Sequence, residues 1–215
     1  MAIIDFFDIA VCAEIVSLLA ALFLLRSKQK TYWILFIIFL IITLMVEGEG
    51  YYLGELKKTN HAYYNFLMIV QVLFYSLLFF KFQESEKTKL WPLIALSIFI
   101  IFFTAEGLLV SFSKYNGYSR MLLSCIVVFL SCTFYFSLIK DDRIKTPLKH
   151  PPFWIVTGLF FYYFGSLPMF AFIKQVSQIK LGGNISFYTL VMGCLSCILY
   201  GSWIIGFICR KKQVQ

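Results

Sequence analysis

Seven stretches of this chain are apolar for about 20 residues at a time, the length that carries a helix across about 30 Å of hydrocarbon. They cover residues 5–25, 31–49, 62–82, 90–112, 119–139, 152–173 and 185–209 of the 215. Inside lipid the backbone must hydrogen-bond within its own segment, so each stretch reads as an α-helix. The runs are continuously apolar and do not alternate, which argues against a membrane β-barrel. Composition agrees: 60% of residues are hydrophobic, 20% aromatic and 14% charged, where soluble domains are about 45–50% apolar and about a quarter charged. The expected fold class is all-α: a polytopic membrane protein, residues 1–215 forming a single bundle of seven transmembrane helices.

A formal charge of +8 can mark a nucleic-acid surface, but here the basic residues sit between the apolar runs and report orientation instead. The loops after the first, third and fifth spans and the C-terminal tail hold thirteen of the 19 Lys and Arg; Lys57, Lys58, Lys114, Arg120, Lys174 and Lys180 fall on the other face. The richer side is the cytoplasmic one, so the N-terminus is expected outside and the C-terminus in the cytoplasm of a cell membrane, by expectation the bacterial inner membrane. The first span lacks a basic leading region and carries Asp5 and Asp8 at its start. It is therefore expected to persist as a span, with both acids at the positive end of its helix dipole. The loops are short, leaving no room for a soluble catalytic or nucleic-acid-binding domain. The expected partners are the lipid bilayer and a protein in or at the membrane, with a homo-oligomer as a further option and nucleic acid excluded.

An ionisable side chain inside hydrocarbon costs about 2.5–3.5 kcal/mol on insertion scales and asks for a reason. Glu14 lies well inside the first span and Glu106 inside the fourth, while Glu47 and Glu49 close the second beside Gly48 and Gly50. Gln71 and Asn65 lie within the third. These groups share the outer half, and the spans hold almost no Lys or Arg to pair with them, Arg120 being counted with the outer loop. One reading is a polar cavity opening outward, lined by Glu14, Glu47, Gln71, Glu106 and Tyr162, with Tyr63, Tyr75 and Tyr163 as further hydroxyl partners. The other is that Glu14 and Glu106 are buried, neutral and hydrogen-bonded across helices. For Glu49 the sequence favours a place at the outer interface.

Small residues mark where helices approach closely. Gly193, Cys197 and Gly201 recur every four residues in the last span, which suits packing within the bundle or a homodimer face. Gly158, Gly165 and Pro168 lie in the sixth span, where Pro removes a backbone donor and predicts a kink. Cys12, Cys125, Cys132, Cys194, Cys197 and Cys209 all fall in apolar runs and are expected to act as small buried hydrophobes.

No catalytic constellation is legible. His61 and His150 lie on opposite faces of the membrane and cannot share a metal, and neither H-E-x-x-H nor G-x-S-x-G occurs. Cys194 and Cys197 form C-x-x-C in mid-span, without the nearby cation that lowers a thiol pKa. Asn184-Ile185-Ser186 matches a glycosylation acceptor only by its three-residue pattern. No catalytic residue, metal or cofactor is therefore expected. The last span has no Lys to hold retinal and no Pro of the kind usual late in the seventh helix of G-protein-coupled receptors. The first three spans lack the prolines of three-plus-one-plus-three sugar transporters.

Phe153-Trp154-Ile155-Val156-Thr157-Gly158, followed by Tyr162 and Gly165, resembles the sixth helix of a group of uncharacterised bacterial seven-helix membrane proteins. Glu47 with Gly50 and Tyr51, then Asn65 and Gln71, is similar to that group as well. The resemblance implies a membrane sensor or accessory subunit without attached soluble domains. The function expected is thus a membrane-embedded sensor or accessory subunit acting through a separate partner, not an enzyme. The alternative is a small-solute, proton or cation transporter or channel that uses its intramembrane Glu residues.

Overall fold

The computed structural model describes residues 9–25, 31–83, 86–112, 114–140, 146–181 and 185–214; Asp5, Asp8 and Asn184 lie outside them. Seven helices dominate: α1 (Ile9–Leu24), α2 (Thr31–Glu55), α3 (His61–Phe82), α4 (Glu86–Val110), α5 (Gly117–Ile139), α6 (Pro151–Ala171) and α7 (Phe187–Val214). Six of them, α2 to α7, are long and apolar enough to cross a membrane, and α1 is a shorter apolar helix of 16 residues. The chain is a multi-pass helical membrane protein. Between α6 and α7 come a four-residue turn of helix, Ile173–Val176, and two antiparallel two-residue strands, Lys180–Leu181 and Ile185–Ser186.

The helices follow one another around a closed ring, each packing on its chain neighbour and α7 returning to α1. Helix α3 also touches α5 and is the most buried of the six long helices; α4 is the most peripheral. The outside of the ring is rich in Leu, Ile and Phe, including Leu109 at 86% exposure and Phe23 at 73%, a surface suited to contact with lipid. Polar side chains turn inward: Glu14, Ser17, Asn65, Gln71, Ser124 and Ser166 are all buried.

The α6–α7 contact, the most extensive in the bundle, is made by glycine notches. A Cβ at Gly158 would stand 2.9 Å from the Leu199 carbonyl oxygen, one at Gly206 would stand 2.9 Å from Ile155 Cδ1, and one at Gly165 would stand 2.7 Å from Leu195 Cδ2. The Gly193–Cys197–Gly201 stripe does not serve this purpose. Gly193 is buried against α1, where a Cβ would stand 3.3 Å from Ile9; Cys197 is exposed, and Gly201 has open space around it. The stripe follows a four-residue period, but the face turned to α6 carries Leu195, Leu199, Ser202 and Gly206 instead. The cysteines are also not core residues: Cys12, Cys125, Cys194 and Cys197 are exposed on the outside of the ring.

Helix α2 runs six residues beyond its expected end. It finishes on a Schellman turn, with Lys57 at φ 54°, Lys58 N donating to Leu53 O (2.9 Å) and Lys57 N to Gly54 O (3.0 Å), which satisfies carbonyls that would otherwise be orphaned. The extension moves Glu47 from the helix end to a position more than two turns inside it.

Candidate functional site

At the end of the bundle that carries the 56–60, 111–116 and 172–186 connections lies a partly open cavity of about 390 Å³, set between α1, α2, α3, α6 and α7, with Arg120 entering from α5 and Tyr115 from the α4–α5 connection. Glu14, Glu47, Gln71 and Tyr162 all line it, together with Tyr75 and Tyr163. Four helices, α1, α2, α3 and α6, bring these groups together.

Helix α3 sets one wall. Tyr64, Gln71 and Tyr75 recur on one face because seven and four residues are close to whole turns. Gln71 Oε1 accepts a hydrogen bond from an Arg120 terminal nitrogen at 2.5 Å. The guanidinium lies 5.2 Å from the Phe170 ring centre and 5.9 Å from that of Tyr163, within cation–π range of both. Tyr163 donates its hydroxyl to Tyr75 Oη at 3.1 Å, joining α6 to α3. Tyr63, one residue from Tyr64 and so about 100° around the helix, is 41% exposed and lines an outer groove with Glu49. It is not a cavity residue.

The acids come from α1 and α2, the latter packed directly on α3. Tyr64 donates its hydroxyl to Glu47 Oε2 at 3.1 Å. Gly50, one turn along α2, makes room for that tyrosine, since a Cβ there would stand 2.7 Å from the Tyr64 hydroxyl. Glu14 is 3% exposed, with Glu47 and Tyr200 as its electrostatic neighbours. Its Oε1 has no hydrogen-bond partner among the described residues, and neither does Arg120 Nε. Tyr162 lines the same cavity as Arg120, Glu47 and Glu14.

Glu106 does not line the cavity. Its carboxylate accepts from Tyr118 N (3.1 Å), Ser119 N (2.7 Å) and Ser119 Oγ (2.5 Å), so an acid on α4 caps the first turn of α5, where N–H groups lack intrahelical partners. Asn65 holds the same junction from α3. Its amide nitrogen donates to Phe112 O (3.1 Å) and Lys114 O (2.7 Å), and its Oδ1 accepts from Asn116 N (3.1 Å). Between them Glu106 and Asn65 fix where α5 begins, and hence where Arg120 points. Tyr115 belongs to this junction; burial and the Glu106 charge raise its phenol pKa, with Arg120 opposing.

Below the cavity the bundle is filled with rings. Phe39 stacks on Phe74 at 4.2 Å, Phe74 meets Phe36 edge-on at 5.0 Å, and Phe36 contacts Trp203 at 5.2 Å and Trp33 at 5.5 Å. These aromatic geometries are favourable beyond the area they bury, and they close the cavity on the side of the basic loops.

The groups that sequence reasoning missed are Arg120, Tyr64, Tyr115, Tyr188 and Tyr200. A signal existed for two of them: Tyr64 stands seven residues before Gln71, and Arg120 stands four before Ser124 on the buried face of α5. Among the described residues no group of three or more His, Cys, Asp or Glu is placed to hold a metal ion. No family model matches this chain, and neither a curated protein nor a solved structure is detectably similar to it.

Proposed function

We propose that this protein is a membrane-embedded solute sensor or accessory subunit. It binds a small polar molecule in the cavity and passes a helix displacement to a partner protein. The observation that carries this reading is the cavity itself: charged and hydroxyl-rich at its sides, within the about 300–1,000 Å³ usual for small-molecule sites, and stopped by the Phe39–Phe74–Phe36 rings. Intramembrane ionisable groups that face one cavity are functional by default. The imbalance of Lys and Arg between the loops puts the mouth outside and the C-terminus in the cytoplasm, the arrangement of the bacterial inner membrane. Helix α6 is suited to move, since it supplies Tyr162 and Tyr163 to the cavity and carries Pro168 inside its last turn, which weakens it locally. The short connections between helices leave the output to a second protein.

A transporter is the second reading, favoured by how deep the cavity reaches. Tyr75 lies 14 residues into α3, about 21 Å along it, near the middle of the bundle. Transport requires the aromatic floor to open; sensing does not.

Proteoliposomes separate the two. With the wild-type chain, the sensor reading expects saturable solute binding and no uptake above that of empty vesicles. Uptake of solute, protons or sodium that Glu14→Gln abolishes makes the protein a transporter. Neither binding nor uptake of any solute removes both readings.

A further inference from the structure

Resting on the reading of the cavity as a ligand site, we propose that its ligand is a small zwitterion of the amino-acid type, its carboxylate held by Arg120 and its ammonium by Glu14 and Glu47. The charged groups of the cavity come from different helices, Arg120 from α5, Glu14 from α1 and Glu47 from α2. Arg120 has Tyr163, Tyr115, Tyr162 and Tyr75 as its neighbours, whereas Glu14 has Glu47 and Tyr200. Arg120 Nε and Glu14 Oε1 are both buried without a hydrogen-bond partner among the described residues. Buried polar groups are normally paired, and both side chains line the same cavity.

The charge set decides among ligand classes. A simple anion satisfies Arg120 but meets the acids Glu14 and Glu47 in the same cavity; a simple cation satisfies the acids but meets the guanidinium. A molecule with opposite charges at its two ends satisfies both kinds of group at once. Gln71 occupies one N–H of the guanidinium, and the remaining fork matches the planar geometry of a carboxylate. Tyr162, which lines the same cavity, offers its ring and hydroxyl to an ammonium.

The test uses the full chain in detergent or nanodiscs. Binding of the twenty amino acids, γ-aminobutyrate and glycine betaine is measured by thermal stabilisation and then calorimetry. The tightest binder is compared with its amide, which lacks the carboxylate, and its N-acetyl derivative, which lacks the ammonium. Both derivatives are expected to bind about tenfold or more weakly, the usual effect of losing a hydrogen bond to a charged group. Arg120→Gln narrows the gap between acid and amide; Glu14→Gln narrows the gap between amine and N-acetyl derivative. The wild-type comparison stands even where a variant fails to fold. An N-acetyl derivative or an amide that binds as tightly as the parent overturns the proposal, as does failure of every zwitterion. In that last case, a neutral or singly charged solute found in a wider library leaves the cavity reading intact, and no binder in that library removes both.

Discussion

Glu106 on α4 and Ser119 on α5 share two hydrogen bonds, Ser119 N and Oγ both donating to Glu106 Oε2 at 2.7 and 2.5 Å. The next residue is Arg120, the cation of the cavity. An acid that reads as a cavity group in the sequence instead positions that cation.

Glu106→Ala should therefore act first on stability. It removes a charged acceptor from three donors at a helix start and is expected to cost about 1.5–3 kcal/mol, the range for a hydrogen bond to a charged group. Reversible unfolding in mixed micelles reads this directly. Glu106→Gln keeps an acceptor and is expected to recover part of the loss. An unchanged unfolding free energy for Glu106→Ala contradicts the capping role.

Gly50 and Tyr64 act as one unit. Gly50→Ala puts a methyl where the Tyr64 hydroxyl lies and should release that hydroxyl from Glu47. Tyr64→Phe removes the same hydrogen bond directly. Each is expected to weaken solute binding by roughly fivefold to tenfold, about 1 kcal/mol, and the double variant no further. Additive losses in calorimetry rule out the shared route.

The glycine notches make a paired prediction. Gly158→Ala forces a Cβ against the Leu199 carbonyl and the Ser202 side chain and is expected to destabilise by about 1–3 kcal/mol, as overpacking does. Gly201→Ala enters open space and is expected to be neutral or slightly stabilising, because Ala is the better helix former. Thermal melts of the two variants side by side check this, and equal destabilisation contradicts the assigned contacts.

Much of the fold was legible in the sequence, because lipid enforces helices and sets their length. Six of the apolar runs recur as long helices and the first as a shorter one. Its inward polar residues were legible too: Glu14, Gln71 and Tyr162 stand out because hydrocarbon makes them costly. What was not legible depends on helix rotation and helix ends. A one-residue error exchanges Tyr63 for Tyr64, and a span boundary drawn one residue from Arg120 left it with the loop charges. In the stripe at Gly193, Cys197 and Gly201, Gly193 packs on Ile9 of α1 and not on α6, because periodicity does not say which helix a face meets. Nor could it show that Glu106 reaches across to the start of α5, since that contact depends on how the α4–α5 connection turns.

Orientation has its own test. Fluorescent-protein and alkaline-phosphatase fusions at the C-terminus should give fluorescence and no phosphatase activity, as the positive-inside rule requires for a cytoplasmic end. Active phosphatase there reverses the topology and turns the cavity mouth to the cytoplasm.

The most direct measurement of the central claim is solute binding to the wild-type chain beside Ser196→Trp, which fills the cavity from a buried residue of its α7 wall. Thermal stabilisation across a library of small polar solutes is read for both, with circular dichroism confirming equal helix content. At least one solute is expected to stabilise the wild type in a saturable way and to do nothing for Ser196→Trp. A solute that stabilises both equally, or a library with no binder, contradicts the central claim.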